Sequence, residues 1–206
     1  AFYHDSGVCF IRDGEIVSAA QEERFSRIKN DSSFPSLAIK NGMDYLNINL
    51  EEIDEIIFYE KPFLKFERLI LTYIKNFPFG LRQFLMSMVI WGKEKLFQRK
   101  IINDHLNQLS KNKLKNKFII KFSDHHLSHA SSAFYPSNFS NAAIIAADGV
   151  GEFATTTISH GNNEAIDIIK KIDYPDSLGL LYSAFAYYLG LKVISDEYKV
   201  MGLAPY

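Results

Sequence analysis

His125, His126 and His129 fall inside "SDHHLSHASSAFYPS", residues Ser123–Ser137, so half of the chain's 6 histidines occupy one short stretch. On an α-helix successive side chains turn by about 100°, so residues four apart share a face and adjacent ones do not. His125 and His129 can therefore chelate one cation. His126 points elsewhere, either as a hydrogen-bond donor behind the ligands or as a solvent-facing residue. Two imidazoles underfill a metal, which wants three or four ligands. Asp148 is the natural third donor. It ends the run "AIIAAD" and is followed by Gly149 and Gly151. Ligands of open α/β sheets bind off the carboxyl ends of strands, where glycines let the backbone approach closely. Two imidazoles and a carboxylate suit Fe(II), Zn(II) or Mn(II) better than Mg(II). From spacing alone, a turn-capping aspartate and two surface histidines stand level with the metal site.

Three other stretches have residue types that do chemistry. In "AFYHDSG", His4 beside Asp5 is either a general base or a hydrogen-bonded turn. In "QEERFSRIK", Glu22, Glu23, Arg24, Arg27 and Lys29 are either internally paired surface charges or a cluster that grips acyl or nucleotide phosphates. In "DSLGLLYSAFAYYLGL…DEYKVMGLAPY", a helix start and a loop holding Lys199 and Gly202 can close over a ribose or phosphate through backbone amides. The opposite face of that helix has tyrosines at core spacing.

The elements that must position these residues are legible from pattern. "GVCFIRDGEIVSAA" is a hairpin turning at Asp13-Gly14. "SLAIKNGMDYLNI" is an amphipathic helix with Ser36 as its cap, and "IDEIIFYE" is a short strand. From Pro62 to Lys117 the pattern is helical, broken at Pro78 and Gly80. "KNKFIIKFSD" returns to strand, and "HHLSHASSAFY" has helical spacing. "NAAIIAADGVGE" reads as a strand buried on both faces. "FATTTISHG" and "AIDIIKKID" are two more strands joined by a loop over His160–Glu164. "SLGLLYSAFAYYLGL" is a helix capped by Ser177, with Gly190 near its end. The order implies an α/β protein with a mixed sheet, flanking helices and a helical insertion over 62–117. The glycine-bearing hairpins suggest an actin/hexokinase-like (ribonuclease H-like) architecture by analogy.

Composition narrows the partners. The chain has 206 residues, 47% hydrophobic, enough for one or two small domains with a real core. A net charge of −1 argues for no nucleic-acid partner and no anionic membrane surface. The basic middle, fourteen Lys/Arg against four Asp/Glu between Glu60 and Lys121, is either a solvated helical face or a surface for phosphates or an acidic partner. The single cysteine, Cys9, rules out an internal disulfide and fits a cytoplasmic location. Phe77–Trp91 is apolar but interrupted by Arg82 and too short to span a bilayer. It reads as a buried helix or a partner-facing one, a homodimer contact among the options. The termini carry no capping or tail composition and read as those of a fragment.

Taken in order, "AFYHDSG", "DGEIVSAAQEERFSRIKND", "SDHHLSHASSAFYPS", "AAIIAADGVGE" and "SLGLLYSAFAYYLGLK…DEYKVMGLAPY" resemble the N-terminal part of the O-carbamoyltransferases, enzymes that decorate nodulation factors and several antibiotics. The resemblance implies an actin-like domain, similar to the tRNA threonylcarbamoyl-transfer proteins, carrying a metal that is typically iron. It also implies a YrdC-like domain that makes carbamoyl adenylate from carbamoyl phosphate and ATP. The first domain then transfers the carbamoyl group to a hydroxyl of a small-molecule acceptor. By the same resemblance His125, His129 and Asp148 hold the metal, His4 activates the acceptor, and Lys29 lies near the reacting group. Asp5, Arg24, Gly149, Gly151, Lys199 and Gly202 line the nucleotide side. The family's later aspartate ligand, the rest of the actin-like domain and the YrdC-like domain have no counterpart in residues 1–206, which are expected to be inactive alone. Competing readings are a tRNA threonylcarbamoyl-transferase relative, a sugar or acetate kinase of the same fold, and a non-enzymatic, metal-stabilised binding module.

Overall fold

A computed structural model describes residues 1–91, 97–110, 118–193 and 196–206. In chain order the elements begin β1 (Gly7–Arg12), β2 (Glu15–Gln21), α1 (Glu23–Ser26), α2 (Ser36–Leu46), β3 (Ile56–Phe58), α3 (Pro62–Asn76) and α4 (Leu81–Ile90). They continue with α5 (Gln98–Leu109), β4 (Ile120–Phe122), α6 (His125–Phe134), β5 (Asn141–Ala147), β6 (Ala154–Asn162), β7 (Ile166–Asp173), α7 (Leu178–Tyr188) and α8 (Glu197–Leu203). Two compact units result. One holds Ala1–Ile56 with Lys93–Lys121, the other Ile57–Gly92 with Phe122–Tyr206. Helices and strands alternate as expected of a mixed α/β chain. The strands, however, do not form one mixed sheet. Among the described residues they fall into three small ones, β1-β2, β3-β4 and β5-β6-β7. No helix among the described residues is long and apolar enough to cross a membrane.

In the first unit, β1 and β2 pair antiparallel around Asp13 and Gly14, whose φ values of 52° and 85° are both left-handed. A two-residue type I′ turn needs that conformation at both central positions, which is why Asp-Gly serves here. Helix α2 lies on the hairpin at Gly42, where a Cβ would come within 2.3 Å of the Phe10 ring. Ala38, Ile39 and Leu50 are buried, as are Ile102 and Leu106 of α5. Ser36 is not the cap of α2. The N-cap position is Pro35, with no side-chain cap from it. Instead the Glu22 carboxylate accepts the N–H groups of Leu37 and Ala38 at 2.9 and 2.8 Å. Glu22 is itself buried, and its N–H donates to the Ser6 carbonyl, so the end of β2 delivers the cap from far along the chain.

In the second unit, β5, β6 and β7 form an antiparallel sheet. Helix α6 covers one of its faces through a core of Ala130, Phe134 and Ile144. Strand β5 is not buried on both faces, contrary to its apolar appearance. Ile144 and Ala146 are buried while Ile145 between them is 72% exposed, the alternation of a half-covered antiparallel sheet. The loop between β6 and β7 is shorter than expected, since β6 continues to Asn162. The helical stretch breaks near Pro78 and Gly80, as its sequence implies: α3 ends at Asn76, and Gly80 caps α4 with φ 80°. Helices α3 and α4 belong to this unit and α5 to the first. Residues 92–96 and 111–117 of the expected insertion lie outside the described residues. Helix α7 starts at Ser177 as read from sequence, that side chain accepting the Leu180 N–H at 3.0 Å. Only Ala186 of α7 is buried, so its tyrosines form no core.

Candidate metal centre

Two carboxylates set the start of α6. Asp124 is its N-cap and accepts the Leu127 N–H. Glu152, 5% exposed, accepts the His125 N–H at 3.0 Å and the Lys61 N–H at 2.8 Å. One buried side chain thus ties the beginning of α6 to the residue preceding α3. The hydroxyl of Ser128, one turn on, donates to the Tyr59 carbonyl at 3.0 Å. With the helix placed, His125 Nε2 lies 2.8 Å from Asp148 Oδ2, and His129 Nε2 lies 3.1 Å from His125 Nε2. The donor atoms of His125, His129 and Asp148 all fall within 4.8 Å of one another.

Asp148 reaches this point because its backbone is clamped. Its N–H donates to Thr155 of β6 at 2.8 Å, and its Oδ1 accepts the Gly149 N–H at 2.7 Å. The Ser177 hydroxyl lies 3.1 Å from the Asp148 carbonyl and 2.6 Å from that of Gly149. Gly179, in the first turn of α7, presses on the same peptide, where a Cβ would sit 2.5 Å from the Asp148 carbonyl oxygen. Gly151 gives the histidines room: a Cβ there would be 3.0 Å from the His126 ring and 3.1 Å from that of His125.

The charges follow from this packing. Burial pulls the His125 imidazole down, but the hydrogen bond to Asp148 and the nearby Glu60 carboxylate outweigh it and raise the pKa to about 9. The same bond from His125, joined by the Gly149 N–H, overcomes burial and holds Asp148 well below the usual carboxylate range. His129 is lowered by burial and by the neighbouring charge of His125. His126 is lowered for the same two reasons. It is no solvent residue. At 1% exposure it places Nδ1 3.1 Å from the Thr157 hydroxyl, inside the sheet–helix packing.

Two nitrogens and one oxygen converging from a helix face and a strand end are a donor set for a transition-metal or zinc ion. His125 is 12% exposed at its side chain, which removes it from the helix surface. An ion bound here would be held by His125, His129 and Asp148, so the residues present fit such a group.

The remaining expected residues lie as follows. His4 Nδ1 and Asp5 Oδ2 are 2.8 Å apart and exposed. Arg24 extends into solvent with its guanidinium 4.0 Å from Glu23, and Lys29 is exposed. Lys199 pairs with Asp196 at 3.0 Å, and both Lys199 and Gly202 sit on α8, a helix where a loop was expected. The structure adds residues that spacing did not reveal. Glu60, Glu152 and Gly179 lie far in sequence from the ligands they touch, and single buried acids or glycines carry no local signal. Arg68, whose guanidinium donates to the Gly151 carbonyl and lies 5.7 Å from the Tyr174 ring centre, is another.

Comparison with known proteins gives the family. The chain matches the family described as carbamoyltransferase N-terminus over residues 1–206. It is 49% identical to the uncharacterized protein sll1178 of Synechocystis sp., across 100% of this chain and 34% of that protein. Nodulation protein NolNO of Sinorhizobium fredii is 34% identical, across 100% of this chain and 28% of its own length. The uncharacterized protein MJ1051 of Methanocaldococcus jannaschii is 30% identical over 98% of this chain and 32% of its own length. The chain thus spans about a third of the length of these curated relatives. Matched from residue 1 to residue 206, the chain belongs to the carbamoyltransferase N-terminus family.

Proposed function

We propose that this chain is the metal-carrying part of an O-carbamoyltransferase with an actin-like fold. The full protein transfers a carbamoyl group from carbamoyl adenylate, made from carbamoyl phosphate and ATP, to a hydroxyl of a small-molecule acceptor. One observation carries the reading: the convergence of His125, His129 and Asp148 in a chain that matches a carbamoyltransferase family along its whole length.

In the transfer step the acceptor oxygen attacks the carbamoyl carbon, the carbon–oxygen bond to the adenylate phosphate breaks, and AMP leaves. The hydroxyl proton goes to His4. Asp5 occupies Nδ1 of that imidazole at 2.8 Å, which leaves Nε2 to receive the proton. Lys29 and Arg24 are exposed and can offset charge on the departing nucleotide. His125, His129 and Asp148 would hold Fe(II), Zn(II) or Mn(II), which would supply Lewis-acid polarisation of phosphate or adenylate oxygens. In the full-length protein, His4→Asn should cut carbamoyl transfer and spare carbamoyl adenylate formation. Equal loss of both half-reactions would remove His4 from this role.

A further inference from the structure

Behind the metal-facing edge of His125 lies a buried carboxylate, at the end of the stretch "IDEIIFYE", to which the sequence assigns no chemical role. Glu60, 4% exposed, follows β3 and brings Oε2 to 3.5 Å from His125 Nδ1. That nitrogen is buried and makes no hydrogen bond. At 3.5 Å the contact is ion-pair distance rather than a formed bond. The ring is therefore flanked by carboxylates on two sides: Asp148 faces Nε2 and Glu60 faces Nδ1. An imidazole that ligates through one nitrogen carries its proton on the other, and a carboxylate behind it fixes both tautomer and ring orientation.

Glu60 is built to stay in place. Lys65, in the first turns of α3, contacts the same Oε2 through its ammonium, and its side chain is 21% exposed. A lone carboxylate this deep would be costly, and Lys65 offsets that cost. Arg68, three residues further along α3, reaches the Gly151 carbonyl, so one face of this helix braces the site from behind.

We propose that Glu60 is a positioning residue of the metal centre. It receives the Nδ1 proton of His125 and commits Nε2 to the metal, and Lys65 is its counter-ion. This rests on the reading of His125, His129 and Asp148 as metal ligands. The geometry also separates Glu60 from the ligands themselves, because its oxygen addresses the nitrogen that does not face Asp148.

The test uses the full-length protein that carries this chain, with Co(II) as the probe, read by its visible absorption and by titration. Glu60→Gln should weaken Co(II) binding about 10- to 100-fold and shift the absorption band. Combined with Lys65→Met, it removes both buried charges together, so this pair supplies a folded protein even where a lone unpaired lysine unfolds the single variant. Metal-free melting temperature is measured alongside. A merely structural Glu60 would lower that temperature and leave the Co(II) affinity and spectrum of the folded variants unchanged, which would overturn the proposal. If Co(II) binding by the wild type is absent, or survives His125→Ala unchanged, the metal reading fails and takes the role of Glu60 with it. If His125→Ala abolishes binding while the Glu60 variants bind normally, only the role of Glu60 fails.

Discussion

Gly179 and Asp148 meet backbone to backbone, so closely that a single added methyl group would stand 2.5 Å from the Asp148 carbonyl oxygen and 2.6 Å from its carbonyl carbon. Backbone cannot swing aside as a flexible side chain can. Gly179→Ala should therefore cost about 1–3 kcal/mol in urea unfolding, as overpacked sites do. It should also weaken Zn(II) binding by displacing the strand-end carboxylate. Unchanged unfolding and unchanged Zn(II) affinity would show that α7 can retreat without moving Asp148.

Glu22 and Ser36 offer a second contrast. Loss of the Glu22 carboxylate strands the N–H of the fully buried Ala38. Glu22→Ala should destabilise by about 1–3 kcal/mol, the cost of a buried donor without a partner. Ser36→Ala should stay within about 0.5 kcal/mol, because Ser36 makes no capping bond. Denaturant unfolding of the two variants side by side decides the matter, and equal losses would return the cap to Ser36.

The three histidines should separate by experiment. His126→Ala removes a 1% exposed ring and its bond to Thr157, and should lose about 1–3 kcal/mol of stability while still binding Zn(II). His129→Ala, at a side chain 52% exposed, should leave the metal-free stability within about 0.5 kcal/mol and lose Zn(II). Zinc titration paired with unfolding in chelator reads both quantities.

Acidity gives a further handle on the metal-free protein. The pKa of His125 is raised to about 9 in the folded chain. Its pairing with Asp148 thus stabilises fully below the unfolded value of about 6.5. That contribution is lost as pH rises through about 9. Asp148 is shifted the other way, so its share is present above the ordinary carboxylate range and fades in acid. Metal-free melting temperature should decline between roughly pH 6.5 and 9, and His125→Ala should flatten that decline. Because a metal must displace the His125 proton, apparent Zn(II) affinity should climb over the same interval. Calorimetry at pH 7.5 in buffers of differing ionisation heat should register proton release.

Much of this centre is legible in the sequence, for reasons that are local. The four-residue spacing of His125 and His129 is a property of one helix, and Asp148 followed by glycines marks one strand end. Ser177 ahead of an apolar run signalled its cap correctly. What sequence could not show depends on residues brought together from far apart. Glu60 meets His125 across 65 positions, Glu22 reaches Ala38 across 16, and neither acid differs in type or neighbours from a surface one. The single mixed sheet expected from the alternation of elements is absent among the described residues, because pattern assigns strands and not their partners. Strand β5 misled for a related reason. Its small apolar residues hide which face is covered, and only the packing of α6 reveals it.

Glu152 ties His125 to Lys61 through one carboxylate, and this has a thermodynamic consequence. The ligand-bearing helix and the residue just ahead of α3 cannot be displaced independently without breaking a hydrogen bond to the buried Glu152. A compound that binds α3 and displaces Lys61 would alter affinity at His125 to the extent that Glu152 moves with it. Reciprocity then requires the metal to alter the affinity for that compound by the same factor. Occupancy of the metal centre and occupancy of helix α3 would then be linked through the Glu152 carboxylate.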